Sequence, residues 1–61
     1  MKRGELIRLL VKNRCHLHRH GANHDIYLNL RNGRKAPVPR HSEIKDSLAK
    51  LIFKQLDIEL S

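Results

Sequence analysis

Residues 15–30 read CHLHRHGANHDIYLNL, and this stretch decides the fold. Polar and apolar side chains alternate along residues 15–20, as is typical of a strand that buries one face. Cys15 and Leu17 fall on one face, which we expect to meet a helix. The opposite face then carries three histidines, His16, His18 and His20.

Residues 21–23 are small and compatible with a turn, and a second strand follows them. Its side chains alternate between two sets: Ile26, Leu28 and Leu30 against Asp25, Tyr27 and Asn29. The pattern predicts a hairpin in which the second strand returns beside the first. It places Tyr27 on the polar side of its strand.

A third strand is predicted after the Asn32-Gly33 pair, which tolerates the positive φ of tight turns. Pro37 and Pro39 lie in this strand and lack an N–H group. Because they are two residues apart, their nitrogens point in the same direction within the sheet. Only an edge strand can leave that side facing solvent, so we expect the third strand at an edge.

Two amphipathic helices flank the strands. In residues 3–13, Leu6, Leu9 and Leu10 mark one buried face. In the second helix, apolar residues recur at spacings of three and four: Ile44, Leu48, Leu51, Ile52 and Leu56. The order α-β-β-β-α with short connections predicts an α+β fold. A three-stranded antiparallel sheet carries both helices on one face and leaves the other open to a ligand.

The length and composition limit the function. A chain of 61 residues, predicted as one domain over residues 1–61, buries only about 60% of its unfolded surface. Such a small core leaves little room to enclose an organic cofactor, so we expect none and favour a polymer substrate. Cys15 is the only cysteine and is predicted to be a buried thiol. The amino-terminal stretch MKRGELIRLL resembles neither a signal peptide nor a membrane span, which favours a cytoplasmic protein.

Positive charge is concentrated in the first two-thirds of the chain. Residues 1–41 hold ten basic and two acidic side chains, whereas residues 42–61 hold three basic and four acidic ones. The whole chain has a net charge of +7. A positive field of this density attracts polyphosphates and gives nucleic-acid affinity without sequence specificity.

His24 is the candidate catalytic residue, because it stands where the turn meets the second strand and is both exposed and held on a rigid element. Cutting RNA without a metal requires a base for the ribose 2′-hydroxyl proton, an acid for the departing oxygen, and positive charge around the phosphate. A histidine, with its ordinary pKa of about 6.5, suits the proton transfers. Arg or Lys nearby can stabilise the developing charge.

Four segments, in this order and spacing, resemble the HicA family of mRNA interferase toxins. They are Gly4-Glu5-Leu6-Ile7 with Leu10, residues 21–27 (GANHDIY), residues 38–41 (VPRH) and residues 51–56 (LIFKQL). The resemblance covers nearly the whole chain. It implies a fold like that of double-stranded-RNA-binding domains, mRNA cleavage with growth arrest, and neutralisation by a HicB-type antitoxin. The family's catalytic histidine falls on His24, and the chain departs from the commonest pattern at Ala22 and Asn23.

The expected RNA-binding residues lie on the sheet and its turns. Five are cations that can meet phosphates along an RNA backbone: Arg19, Arg31, Arg34, Lys35 and Arg40. Asn23 beside the catalytic histidine completes the polar contacts. Tyr27 is the one candidate for stacking on a base, since Phe53 is the only other aromatic residue. His41, just before the second helix, is expected to be structural.

Two other interpretations stay open. The same fold and charge suit a non-catalytic RNA-binding module. A protein-interaction or metal-carrying module is the third, because the histidine row together with His24 presents several imidazoles to Zn²⁺ or Cu²⁺. A solvated, RNA-facing histidine row is the plainer explanation, and we expect no metal site.

Overall fold

The structure is a computed structural model, and it describes residues 1–59. Residues 60 and 61, the last two of the predicted domain, lie outside the described residues. Within residues 1–59 the chain forms five elements: α1 (Arg3–Lys12), β1 (Cys15–His20), β2 (His24–Asn29), β3 (Lys35–Pro39) and α2 (Asp46–Gln55). The predicted α+β fold with the order α-β-β-β-α is therefore confirmed.

The three strands form one antiparallel sheet in the order β1-β2-β3. The strand with Pro37 and Pro39 lies at an edge, as their missing N–H groups predict. Gly33 takes a φ of 76° in the loop between β2 and β3, where its N–H donates to the Asn29 carbonyl at 2.8 Å. The Asn-Gly pair therefore does mark the turn into the last strand.

Both helices pack on one face of the sheet and enclose the core. Leu6 and Leu10 of α1 are buried, as the helical spacing predicts. In α2, Ala49, Ile52 and Phe53 are buried, whereas Leu51, predicted on the same stripe, is 48% exposed. The sheet and the segments flanking α2 supply the remaining core residues: Cys15, Tyr27, Ala36, Val38, Ile44 and Leu56. The thiol of Cys15 is buried as predicted, and burial raises its pKa.

The two faces of β2 are the reverse of what its polarity indicates. Tyr27 was placed on the polar side, but it is 8% exposed and lies in the core with the helices. Asp25 and Asn29 share its face and are also buried, whereas Ile26 and Leu28 lie half-buried on the open face. Buried polar side chains are tolerated where their hydrogen bonds are made. Asn29 meets this condition, because its Nδ2 donates to the Leu56 carbonyl at 2.8 Å.

A bulge in β1 breaks the predicted row of three histidines. The pairing with β2 runs regularly to Leu17, which lies opposite Tyr27, and then shifts so that Arg19 lies opposite Ile26. His18 is the extra residue of this bulge. Beyond it, His20 pairs with Asp25 and leaves the open face on which His16 lies. The prediction of one continuous histidine face was wrong because strict alternation does not survive an inserted residue.

Residues 1–59 contain no helix that is long and apolar enough to cross a bilayer.

Candidate functional site

His24 opens β2 directly after a two-residue turn formed by Ala22 and Asn23. The N–H of Gly21 donates to the His24 carbonyl at 2.7 Å and closes this turn. His24 is exposed, and by strand alternation it shares the open face with Ile26 and Leu28. The reversal of the β2 faces is therefore what keeps His24 accessible: packing Ile26 and Leu28 under the helices would have carried His24 with them.

Asp25, the next residue, is the centre of an ion-pair network beneath the turn. Its side chain is 11% exposed. Arg3 Nη2 donates to Oδ2 at 2.7 Å, and Arg40 Nε donates to Oδ1 at 3.0 Å. The third partner is His20, whose Nδ1 lies 2.8 Å from Oδ1. One buried carboxylate thus ties together α1, the end of β1 and the residue after β3.

The hydrogen bonds from His20 and then from Arg40 lower the pKa of the Asp25 carboxyl from 3.8 to about 2, against the opposing effect of burial. The carboxylate is therefore ionised at neutral pH and accepts hydrogen bonds only. It follows that His20 carries a proton on Nδ1. Its Nε2 is left for another partner, and the side chain is 70% exposed.

Arg40 holds the turn from its outer side. Besides Asp25, its guanidinium donates to the carbonyls of Gly21 at 2.7 Å, Ala22 at 3.2 Å and His24 at 3.4 Å. Four of its N–H groups are used within the protein. Arg40 was predicted as a phosphate ligand, which stays a prediction; the structure shows that its guanidinium fixes the backbone that carries His24.

The predicted RNA-binding residues divide between the two ends of the sheet. Near the turn lie Asn23 and Arg40, with Arg19 one step along β1 on the open face. At the opposite end of β2 lie three exposed cations, Arg31, Arg34 and Lys35. From His24 to Asn29, β2 spans about 17 Å at the usual rise of a strand. Arg19 and Lys35 lie between its ends, opposite Ile26 and Leu28.

Tyr27 does not belong to this surface. Its ring is packed in the core, so the prediction that it stacks on a base was wrong. The strand alternation that exposes His24 places Tyr27 on the opposite face.

Within residues 1–59, no three His, Cys, Asp or Glu side chains come together in a way that could hold a metal ion.

Comparison with known families decides the class of the protein. The chain matches the model of the family described as "HicA toxin of bacterial toxin-antitoxin" over residues 3–58. The chain belongs to the HicA toxin family. A search of the curated proteins found no match, and neither did a search of the solved structures. The family resemblance seen in the sequence is thus confirmed, and the protein is the toxin component of a toxin–antitoxin system.

Three features of this HicA site were missed by sequence reasoning. Nothing in the sequence indicated that Arg3 reaches Asp25, and the polarity of β2 put Asp25 on the solvent-facing side of the strand. His20 was assigned to the wrong face. Asp25 did carry a signal, because it is the only acidic residue between Glu5 and Glu43 in a strongly basic chain. A lone carboxylate among so many cations is the natural centre for an ion-pair network.

Proposed function

We propose that this HicA toxin is a metal-independent endoribonuclease that cleaves mRNA, with His24 as its catalytic acid or base. The observation that carries the proposal is the position of His24: an exposed imidazole on the open sheet face, at a turn that Gly21 and Arg40 hold in place. Preorganised geometry of this kind is what proton transfer to a bound substrate requires.

The proposed reaction uses the ribose 2′-hydroxyl as its nucleophile. A base removes the hydroxyl proton, the 2′-oxygen bonds to phosphorus, and the bond from phosphorus to the 5′-oxygen breaks. An acid protonates that leaving oxygen. The products are a 2′,3′-cyclic phosphate and a 5′-hydroxyl, so the electrons balance with no oxidant or metal. His24 serves at one of the two proton transfers.

Cations near His24 supply the charge stabilisation. Arg19 lies on the open face, and Arg40, with the last N–H of its guanidinium, borders the same turn. Cations placed where negative charge develops on the phosphate lower the barrier without moving during the reaction. Asn23, exposed in the turn, adds an amide that can bind a phosphate or ribose oxygen.

The direct test is to incubate the purified toxin with labelled mRNA in the presence of EDTA. We expect cleavage fragments that end in 2′,3′-cyclic phosphate, detected by their resistance to alkaline phosphatase until acid opens the cyclic phosphate. RNA that is bound but stays intact would instead support a non-catalytic RNA-binding module. Cleavage that vanishes in EDTA and returns with Zn²⁺ would contradict a metal-independent mechanism.

We also propose that a HicB-type antitoxin, acting with the toxin in the cytoplasm, covers the His24 face. The toxin's net charge of +7 supports an acidic partner, because complementary charge speeds association. A neighbouring reading frame that encodes an acidic HicB-like protein, and that suppresses growth arrest when expressed with the toxin, is the expected result.

Gly21→Ala should impair cleavage without unfolding the protein. A Cβ at this position would lie 2.8 Å from the His24 carbonyl oxygen, which is closer than real Cβ atoms approach. The backbone of His24 must therefore shift. Since a displacement of about 1 Å at a reacting group can cost on the order of a hundredfold in rate, we expect kcat to fall by about that factor.

Gly4→Ala is the matched control, because a Cβ at Gly4 meets nothing within 4 Å. It should cleave at the wild-type rate and melt at the wild-type temperature or slightly above, since alanine favours the helix. Equal rates for the two variants would show that the backbone at His24 is not critical.

A further inference from the structure

A cationic cleft lies at the end of the sheet opposite to His24. Lys12, Asn13, Arg14 and Arg31 line this open cleft of about 230 Å³, between the end of α1 and the loop after β2. Among residues 1–59 no acidic side chain lines it, while Asp57 and Glu59 line the adjoining cleft that shares Asn13 and Arg31. The salt bridges found in residues 1–59 centre on Asp25 and the chain's amino terminus, and they leave out all three of these cations.

Arg14 takes an unfavourable backbone conformation in this cleft. Its φ is 63°, in the left-handed region that glycine adopts freely and other L-residues adopt at a cost in free energy. The position directly follows the helix cap at Asn13, where glycine is the usual residue. The backbone conformation is required, because the Arg14 carbonyl accepts from the Leu30 N–H at 3.0 Å. The side chain is not required for it.

We propose that Lys12, Arg14 and Arg31 bind a phosphate of the RNA strand upstream or downstream of the cleaved bond. This proposal rests on the proposed nuclease function and deepens it, because it defines the length of RNA that the toxin contacts. The cleft lies about 17 Å from His24 along β2. A stacked strand rises about 3.4 Å per nucleotide, so roughly five nucleotides span that distance and an extended strand needs fewer.

The open face provides a path between the two ends. His16 and Lys35 flank Leu28 in one row across the sheet, and Arg19 lies beside Ile26 in the next row toward His24. Cations therefore occur along the whole path, while the half-buried Ile26 and Leu28 give a smooth surface for sugars and bases. In this arrangement the RNA strand is bound through its phosphates at both ends of the sheet and is cleaved at the end where His24 lies.

Cations at the carboxyl end of α1 also complement the helix dipole, and this alone would account for Lys12 and Arg14. It does not account for Arg31, which follows β2 and lines the same cleft. The dipole explanation predicts that removing Arg14 lowers stability. A phosphate site predicts that Arg14→Gly lowers RNA affinity. The thermal midpoint should stay level or rise, because glycine adopts the positive φ of this position without the steric cost that arginine has.

The test compares Arg14→Gly with Arg31→Gln, their double variant and the control Lys50→Gln, which removes an exposed cation from α2. Binding of a long single-stranded RNA is titrated over a range of salt, and cleavage is measured on that RNA and on a dinucleotide. We expect the double variant to bind the long RNA about tenfold more weakly. Its plot of log affinity against log salt should be shallower by roughly 0.7 per cation removed.

The dinucleotide separates the two sites, because it reaches His24 and not the cleft. Its cleavage rate should be unchanged in the double variant, and Lys50→Gln should behave as wild type on both substrates. Wild-type affinity of the double variant for the long RNA would overturn the site, and so would an equal loss in Lys50→Gln. If the wild type neither binds nor cleaves the long RNA, the nuclease function itself fails, which is a distinct result.

Discussion

Replacing His24 by Ala is expected to remove RNA cleavage and growth arrest while the protein stays folded. A positioned acid or base contributes on the order of 10²–10⁴-fold to a rate, so kcat should fall by that range. The side chain is exposed on the open face, and surface substitutions usually change the free energy of unfolding by less than about 0.5 kcal/mol. Cleavage of labelled RNA and a thermal melt, measured on the same preparation, check both halves of this expectation.

His18→Gln is the matched control for that experiment. His18 is exposed at the bulge of β1, in the same basic hairpin, and its removal changes the histidine count by the same amount. It should cleave as the wild type does. His24→Gln extends the test, because it keeps a polar side chain of similar size and loses the titratable ring. Full activity in either His24 variant would eliminate its role in proton transfer.

The hairpin and the edge strand were predictable because their signals are local. Gly33 and the spacing of Pro37 and Pro39 act through their own backbone, so no distant residue decides the outcome. The exposure of His24 was also expected from its place at the turn. The exposure of His24 and the element order therefore follow from the sequence.

The faces of β2 were not predictable from polarity alone. Asp25 is buried because Arg3, 22 residues before it, and Arg40, 15 residues after it, reach its oxygens. The alternation of polar and apolar residues along one strand carries no information about partners so far away in the sequence. The rule that polar residues face solvent therefore placed Asp25 and Tyr27 on the wrong face of β2. The bulge at His18 likewise depends on the pairing of β1 with β2, and residues 15–20 contain no sequence signal that predicts it.

The same network makes Asp25 a residue whose replacement should disturb the fold. Asp25→Asn removes the charge that Arg3, Arg40 and His20 share. The carboxylate is 11% exposed and Arg3 is 25% exposed, so the loss of this charge leaves Arg3 without its ion-pair partner in a largely buried place. Arg40 and His20 are 43% and 70% exposed, and water solvates them in part. We expect a large drop in the thermal midpoint, and loss of cleavage because Arg40 no longer has its anchor under the turn. Circular dichroism melts of the variant and the wild type measure it.

Dependence on pH separates this electrostatic role from mere packing. The pKa of Asp25 is lowered to about 2 in the folded protein and lies near 3.8 in its ordinary state. A carboxyl whose pKa is lower in the folded than in the unfolded protein stabilises the fold fully at pH values above the unfolded-state pKa. This contribution is lost as the pH falls through the folded-state pKa. The wild type should therefore lose stability between about pH 4 and pH 2, whereas Asp25→Asn should lack this part of the loss. Glu5→Gln, which alters an exposed acid on α1, should keep the wild-type profile. If the dependence of stability on pH is the same in Asp25→Asn as in the wild type, the network holds the turn through packing and not through charge.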